Sequence, residues 1–303
     1  MLSALLGLVG GIVYGGADFL GGLAARRLGA VRVTVVSAFS GLVLLLAAYP
    51  FVGGTASAEA VGLGALSGLA GAAAIALLYG CLALGPMSIL SPLTAVVSAL
   101  VPFTIGLLGG ERLPLLGWVA IALALVAVVL VGFVPEKGAA SPRPLGLAMA
   151  VGAGALIGVF LVLLDRTPPD SGLVPLLLNR SVSTAVMLVV LAGVLGITAV
   201  RRARSTDAPR PPKPAFAESG PAPRWAERAV LLAIACGLVD ALANLLLLLA
   251  LRAGELTVVS VLTALYPAGT VILAAVLLRE RVAAVQVVGL VLAFVAAALL
   301  ALA

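Results

Sequence analysis

Ten membrane-spanning helices, arranged as two inverted five-helix repeats, are the fold this sequence predicts. Three observations predict it. The chain is 63% hydrophobic and 10% charged, with a mean hydropathy of +1.29; a water-soluble domain is nearer half apolar and a quarter charged. Apolar runs long enough to cross ~30 Å of hydrocarbon recur ten times, at 2–24, 33–52, 60–84, 87–108, 114–134, 145–164, 173–199, 229–251, 256–278 and 282–303. Finally, one stretch occurs twice. Residues 82–112 match residues 251–281 in a single ungapped frame, pairing Gly85 with Gly254, Ser91 with Ser260, Thr94 with Thr263, Glu111 with Glu280 and Arg112 with Arg281. Leucine and alanine matches are cheap in so apolar a chain; these are not. The runs are rich in Ala, Leu and Gly and do not alternate, which favours helices over a transmembrane barrel.

The first run carries no basic segment ahead of it and no cleavage site after it, so it reads as a retained span. Tyr14 and Asp18 lie one helical turn apart within it, on one face. Its glycines allow neighbouring helices to come close. Arg26, Arg27 and Arg32 follow in the first loop, with Arg26 or Arg27 placed to screen Asp18. Spans two and three are plain, and span three ends at the turn signal Gly85-Pro86. Pro92 and Pro102 predict that span four is kinked or broken. The connector 135–144 is polar and contains prolines. It divides a first repeat, 1–134, from a second, 145–303.

Span six resembles span one, except that Ile157 stands where Asp18 does. Asn179-Arg180 lies within span seven. An Arg- and Pro-rich stretch, 200–228, is expected to be a long loop. Asp240 lies near the middle of span eight with Asn244 one turn on, and span nine holds Thr263, Tyr266 and Pro267.

Five spans per half, an odd number, force the second half to insert upside down relative to the first. Fourteen of the eighteen Lys and Arg residues fall in the loops on one side, which puts that side in the cytoplasm and both termini outside. The net charge of +6 sits in loops, suited to anionic lipid headgroups, and no aromatic-basic interleaving suggests nucleic acid. The expected partners are the bilayer and a small-molecule substrate, with a homodimer an admissible assembly.

Chemistry at depth narrows to a few residues. A charge at mid-membrane costs about 2.5–3.5 kcal/mol even on the mildest scale. Asp240 is therefore paired, protonated or functional; the plainer role is a hydrogen bond locking span eight to a neighbour, which Asn244 would share. Asp18 and Asp240 are the candidate proton-binding groups. Arg180 cannot shed its charge and needs Asp240, Asp165 or a bound anion. Tyr14, Tyr79 and Tyr266 are candidate cavity residues, or packing. The Glu-Arg pairs at 111–112 and 280–281 read as interface caps, and Cys81 and Cys236 as small core residues. The chain has no histidine, no phosphate-binding lysine loop, no HExxH and no CxxC, so neither a metal nor a cofactor is expected, and no enzymatic activity.

Two halves of five spans, each built as turn, Ser/Thr-rich span, Glu-Arg and span, resemble the EamA-type proteins of the drug/metabolite transporter superfamily. The match is sharpest at 250–281, where Pro267 precedes Glu280 by thirteen residues; the first half departs, with Ser98 at that place and its proline at 102. The segments GGADFLGG (15–22), LLDR (163–166) and GLVDALAN (237–244) resemble a bacterial subgroup. Asp18 is similar to the single first-helix carboxylate of small multidrug-resistance transporters. The resemblance implies a secondary carrier in a bacterial inner membrane, moving a metabolite or drug, often outward, by alternating access. It also implies cytoplasmic termini, against the loop charges, which are followed here. The reading weighed against a carrier is a membrane-embedded enzyme or a structural partner of another complex. Scattered single charges without histidine disfavour the enzyme; intramembrane Asp240 and Arg180 disfavour the passive partner.

Overall fold

The computed structural model describes residues 1–84, 87–132, 143–204, 224–279 and 282–302, with backbone alone at 79, 82–84, 87–88, 201–204 and 224–226. Most of the connector, the heart of the polar stretch, the Gly85-Pro86 turn, the Glu280-Arg281 pair and the Tyr79 side chain lie outside that description. The helices are α1 (Leu2–Leu28), α2 (Ala30–Val52), α3 (Ala58–Leu84), α4 (Met87–Leu108), α5 (Leu115–Gly132), α6 (Pro144–Asp165), α7 (Val174–Arg204), α8 (Arg224–Ala253), α9 (Leu256–Thr263), α10 (Tyr266–Leu277) and α11 (Ala284–Leu302). Among the described residues there is no strand. Hydrocarbon offers the backbone no hydrogen-bond partner, so each apolar run closes its own bonds as a helix.

Ten spans are long and apolar enough to cross a membrane, α9 and α10 together making the ninth. All ten expected runs are present. The polar stretch is shorter than its sequence suggests, because α7 continues through Arg204 and α8 begins at Arg224. Arginine and alanine are good helix formers, so the helices continue past the apolar limit.

Span four is not broken, and the break falls elsewhere. Span four, with Pro92 and Pro102 inside it, is one continuous helix. It packs along α6 and α9, and the hydroxyls of Thr94, Ser98 and Thr104 bond to carbonyls of the preceding turn, at Leu90, Ala95 and Leu100. The packing along α6 and α9 keeps the helix whole although neither proline offers an amide to the carbonyl four residues before it, at Ser88 and Ser98. Span nine is the broken one. Pro267 has no amide to offer the Thr263 carbonyl, and the chain turns tightly at Ala264–Leu265, with Leu265 N–H donating to Leu262 O at 3.2 Å and Ala268 N–H to Leu265 O at 2.9 Å.

The most extensive helix pairings come in matched sets. α1 packs on α8 as α6 packs on α3, α2 on α8 as α7 on α3, and α1 on α9 and α10 as α6 on α4. Three more, α2 with α7, α4 with α9 and α5 with α11, map onto themselves when each span is exchanged for the one five places on. One part of the core is built of small residues, another of leucines such as Leu161, Leu176 and Leu247. Ala95, Ala99, Ala120, Ala124, Ala293 and Ala296 are buried together where α4, α5 and α11 meet, which suits close packing between helices in lipid. Large side chains such as Phe39, Val189, Val291 and Phe294 face outward.

At the end bearing Met1, two loops interlock. Thr55 N–H donates to Asp170 O at 3.0 Å and its hydroxyl to Asp170 Oδ2 at 2.6 Å. Leu173 N–H donates to Gly53 O at 3.0 Å. Arg252 closes the joint, reaching Ser171 Oγ at 3.1 Å and Gly172 O at 2.9 Å. Nearby, Glu111 does more than end a span: its carboxylate accepts the amides of Leu256 and Thr257, at 2.9 and 3.0 Å, and so caps α9 from the other half of the chain. Burial first, and the Glu111 charge second, hold the neighbouring Glu255 carboxyl above its ordinary range.

Candidate functional site

Five helices bring the expected residues to one junction. α1 lies between α8 and the broken ninth span, and α2 packs on both α8 and α7. On α8, Asp240 forms an ion pair with Arg180 of α7. Of the partners the sequence offered for Arg180, then, Asp240 is the one used. Asp165 is at the Met1 end of α6, within electrostatic reach of Glu111 and Arg166. The paired side chains are 14% and 24% exposed respectively, so both are largely withdrawn from solvent.

The pair belongs to a longer chain of polar contacts. Asn244 donates through Nδ2 to the Asp240 carbonyl at 2.8 Å and to Asp240 Oδ2 at 3.3 Å. Its Oδ1 in turn accepts the Tyr14 hydroxyl at 2.6 Å. One helical turn separates Asp240 from Asn244, which puts both on the same face of α8. The order Arg180, Asp240, Asn244, Tyr14 thus links α7, α8 and α1. Every member is satisfied except Arg180 Nε, which is buried without a partner among the described residues.

Asp18 lies one turn beyond Tyr14. Its side chain is exposed. It forms no ion pair among the described residues. Arg26 and Arg27 do not screen it, contrary to expectation: they lie eight and nine residues further along α1, about 12 Å or more at 1.5 Å per residue. Tyr14 and Tyr266 are both within electrostatic reach of the Asp18 charge. Tyr266 arrives there because the ninth span breaks just before it. α1 meets α10 with almost no clearance, a Cβ on Gly15 falling 2.2 Å from Tyr266 O and 2.6 Å from Thr270 N. The Thr270 hydroxyl then bonds to Gly15 O at 3.1 Å.

Three polar residues not among those expected stand at the same junction. Cys236, one turn before Asp240, is in electrostatic contact with both Asp18 and Arg180. Thr184, one turn after Arg180, and Thr263, at the break in span nine, have buried hydroxyls without partners among the described residues. The spacing of Thr184 from Arg180 was visible in the sequence. That Thr263 would end a helix was not, since the sequence pointed to span four for a break that falls at Ala264–Leu265.

Comparison with known proteins fits this arrangement. The model of the EamA-like transporter family matches residues 144–302, more than half of the chain. The protein belongs to the EamA-like transporter family. A solved crystal structure superposes on 99% of this chain and 98% of its own, with a TM-score of 0.72 at 17% sequence identity, a likeness of fold alone. Among curated proteins none matches the sequence. EamA membership makes the protein a membrane transporter of the drug/metabolite superfamily, and its ten apolar helices make it multi-pass.

Proposed function

We propose that this EamA protein is a gradient-coupled secondary carrier that exports a small polar metabolite or drug by alternating access. Its halves, 1–134 and 145–303, act as inverted five-helix repeats in a bacterial inner membrane, with both termini outside. The observation that carries the reading is the Arg180–Asp240 pair, held at the meeting of the two halves beside an accessible and unpaired Asp18. The matched helix pairings support the duplication. Ion pairs at this depth cost energy and usually mark a pathway.

The roles follow from the geometry. Arg180 holds a fixed positive charge and one unused donor, Nε, so an acceptor on the substrate competes with Asp240 for it. Asp18, without a cationic partner, takes and releases the coupling proton. Asn244, Tyr14 and Tyr266 supply neutral polar contacts between them. Transport by purified protein in liposomes, read as internal pH across panels of amino acids, organic cations, organic anions and sugars, tests this. A substrate-evoked proton signal that disappears in Asp18→Asn, with substrate affinity lowered in Arg180→Gln and Asp240→Asn, is the expected result. Wild-type transport by both Asp18→Asn and Asp240→Asn overturns it.

A further inference from the structure

At the end opposite Met1, a groove of about 350 Å³ lies between the last turns of α1 and the first turns of α8. Its lining is Leu23, Arg26 and Arg27 from α1 and Arg228, Ala229 and Leu232 from α8. Three arginines on two helices thus border one small space. All three arginines are exposed, and none forms an ion pair among the described residues. Glu227 precedes Arg228 but does not line the groove. Three like charges at one end of two helices repel one another, and an anion held between them relieves that repulsion.

The groove is also graded along the membrane normal. α1 has 27 residues, about 40 Å of helix against ~30 Å of hydrocarbon, so its last turn reaches the headgroup layer. Arg26 and Arg27 are in that turn, with Leu23 one turn deeper. On α8, Leu232 lies one turn deeper than Arg228. Cations at headgroup level over an apolar floor match an amphiphile better than a free ion, and basic pockets between helices at this level bind anionic headgroups.

We propose that this groove is a binding site for an anionic phospholipid, its phosphate held by Arg26, Arg27 and Arg228 and an acyl chain lying on Leu23 and Leu232. The site is separate from the Arg180–Asp240 junction and bridges the first helix of one half to the third helix of the other. Those two helices form the most extensive pairing in the molecule, so a lipid at their end clamps the central contact of the bundle.

The test uses the full-length protein in neutral detergent, titrated with phosphatidylglycerol or phosphatidylcholine and read by native mass spectrometry for retained lipid. Inorganic phosphate is titrated separately and read by thermal shift alongside the two lipids. Retention of phosphatidylglycerol over phosphatidylcholine is expected, weakening about a hundredfold in Arg26→Gln/Arg27→Gln/Arg228→Gln, the loss expected when three cations facing an anionic headgroup are removed. The matching triple Arg→Lys variant restores binding and controls for misfolding. Equal retention of the two lipids, or retention unchanged in the triple Gln variant, overturns the proposal. Stabilisation by inorganic phosphate equal to that by phosphatidylglycerol overturns the lipid as occupant.

Discussion

Asp240→Asn separates an ion pair that holds the site from two charges that merely lie close. Two unit charges about 4 Å apart at an effective dielectric of about 20 attract by about 4 kcal/mol. The partial exposure of both side chains reduces this, and breaking a buried pair by removing one partner typically costs about 3–5 kcal/mol. An expected loss of about 3 kcal/mol follows, a factor of about 150 in the folded ratio. The two single variants should not cost the same. Asp240→Asn leaves a guanidinium that cannot discharge, with an already unpartnered Nε. Arg180→Gln leaves a carboxylate that is able to take up a proton and still accepts the Asn244 amide. So Asp240→Asn is the more damaging single change, and the double variant is less unstable than the sum of the singles by about 2 kcal/mol. Equilibrium unfolding in mixed micelles, followed by tryptophan fluorescence through a double-mutant cycle, measures this. Additivity to within about 0.5 kcal/mol would refute the coupling, since that is the behaviour of independent sites.

Tyr14→Phe removes the 2.6 Å bond to Asn244; polar contacts between membrane helices average about 0.6 kcal/mol and reach about 1.7, so the same unfolding assay should register a loss in that range while folding survives. Gly172→Ala should cost more than the roughly 1–2 kcal/mol of a left-handed backbone, because Gly172 has φ +53° and a Cβ there falls 2.0 Å from Gly53 O; size-exclusion of detergent extracts should show a sharply lower yield of monodisperse protein. Glu111→Ala strips two charged hydrogen bonds from the start of α9, an expected loss of about 1.5–3 kcal/mol for each if fully formed and dry, and less here at a partly buried site. Glu111→Gln should also change the pH profile: Glu255 binds its proton more tightly in the folded chain, so its contribution is present in acid and lost as pH rises through the raised value, and removing the Glu111 charge flattens that slope, measurable as unfolding free energy against pH.

Much of the architecture was legible because lipid imposes a simple rule. A run of about twenty apolar residues must be helical, and ten runs appear as ten spans. The ion pair was half legible: Asp240 and Arg180 each stood out as charges at depth, but only the fold sets the Arg180 side chain within reach of Asp240 and leaves Asp165 at the Met1 end. Proline was misleading in the other direction. It reports a lost amide at its own position and nothing about the support a neighbour gives, which is why two prolines leave α4 whole while one accompanies the break at Ala264–Leu265. The role of Glu111 escaped because its partners, Leu256 and Thr257, are backbone amides some 145 residues away. No side-chain pattern marks them.

On the proposed duplication, the position of Ile157 bears on how such a scaffold becomes a transporter. α6 packs on α3 as α1 packs on α8, yet at the place of Asp18 the second copy carries an apolar residue, half-buried against the cluster formed by α2, α7 and α8. The packing needs only small residues and close approach, and both halves supply them. The polar chain from Arg180 to Tyr14 has been built at one of the two equivalent junctions alone. On the proposed mechanism, a substrate bound there would press on α1 and α8 unequally with respect to the proposed pseudo-symmetry, so the two ends of the bundle would respond differently to its arrival. That inequality would make the kinetics at the two faces differ, while the driving gradient sets the direction of net flux. An Ile157→Asp substitution therefore tests more than tolerance of charge: placed at the equivalent junction, a second accessible carboxylate should reduce the asymmetry of flux between inside-out and right-side-out liposomes, while the same change in Asp18→Asn should not restore coupling, because the Arg180–Asp240 pair is not duplicated with it.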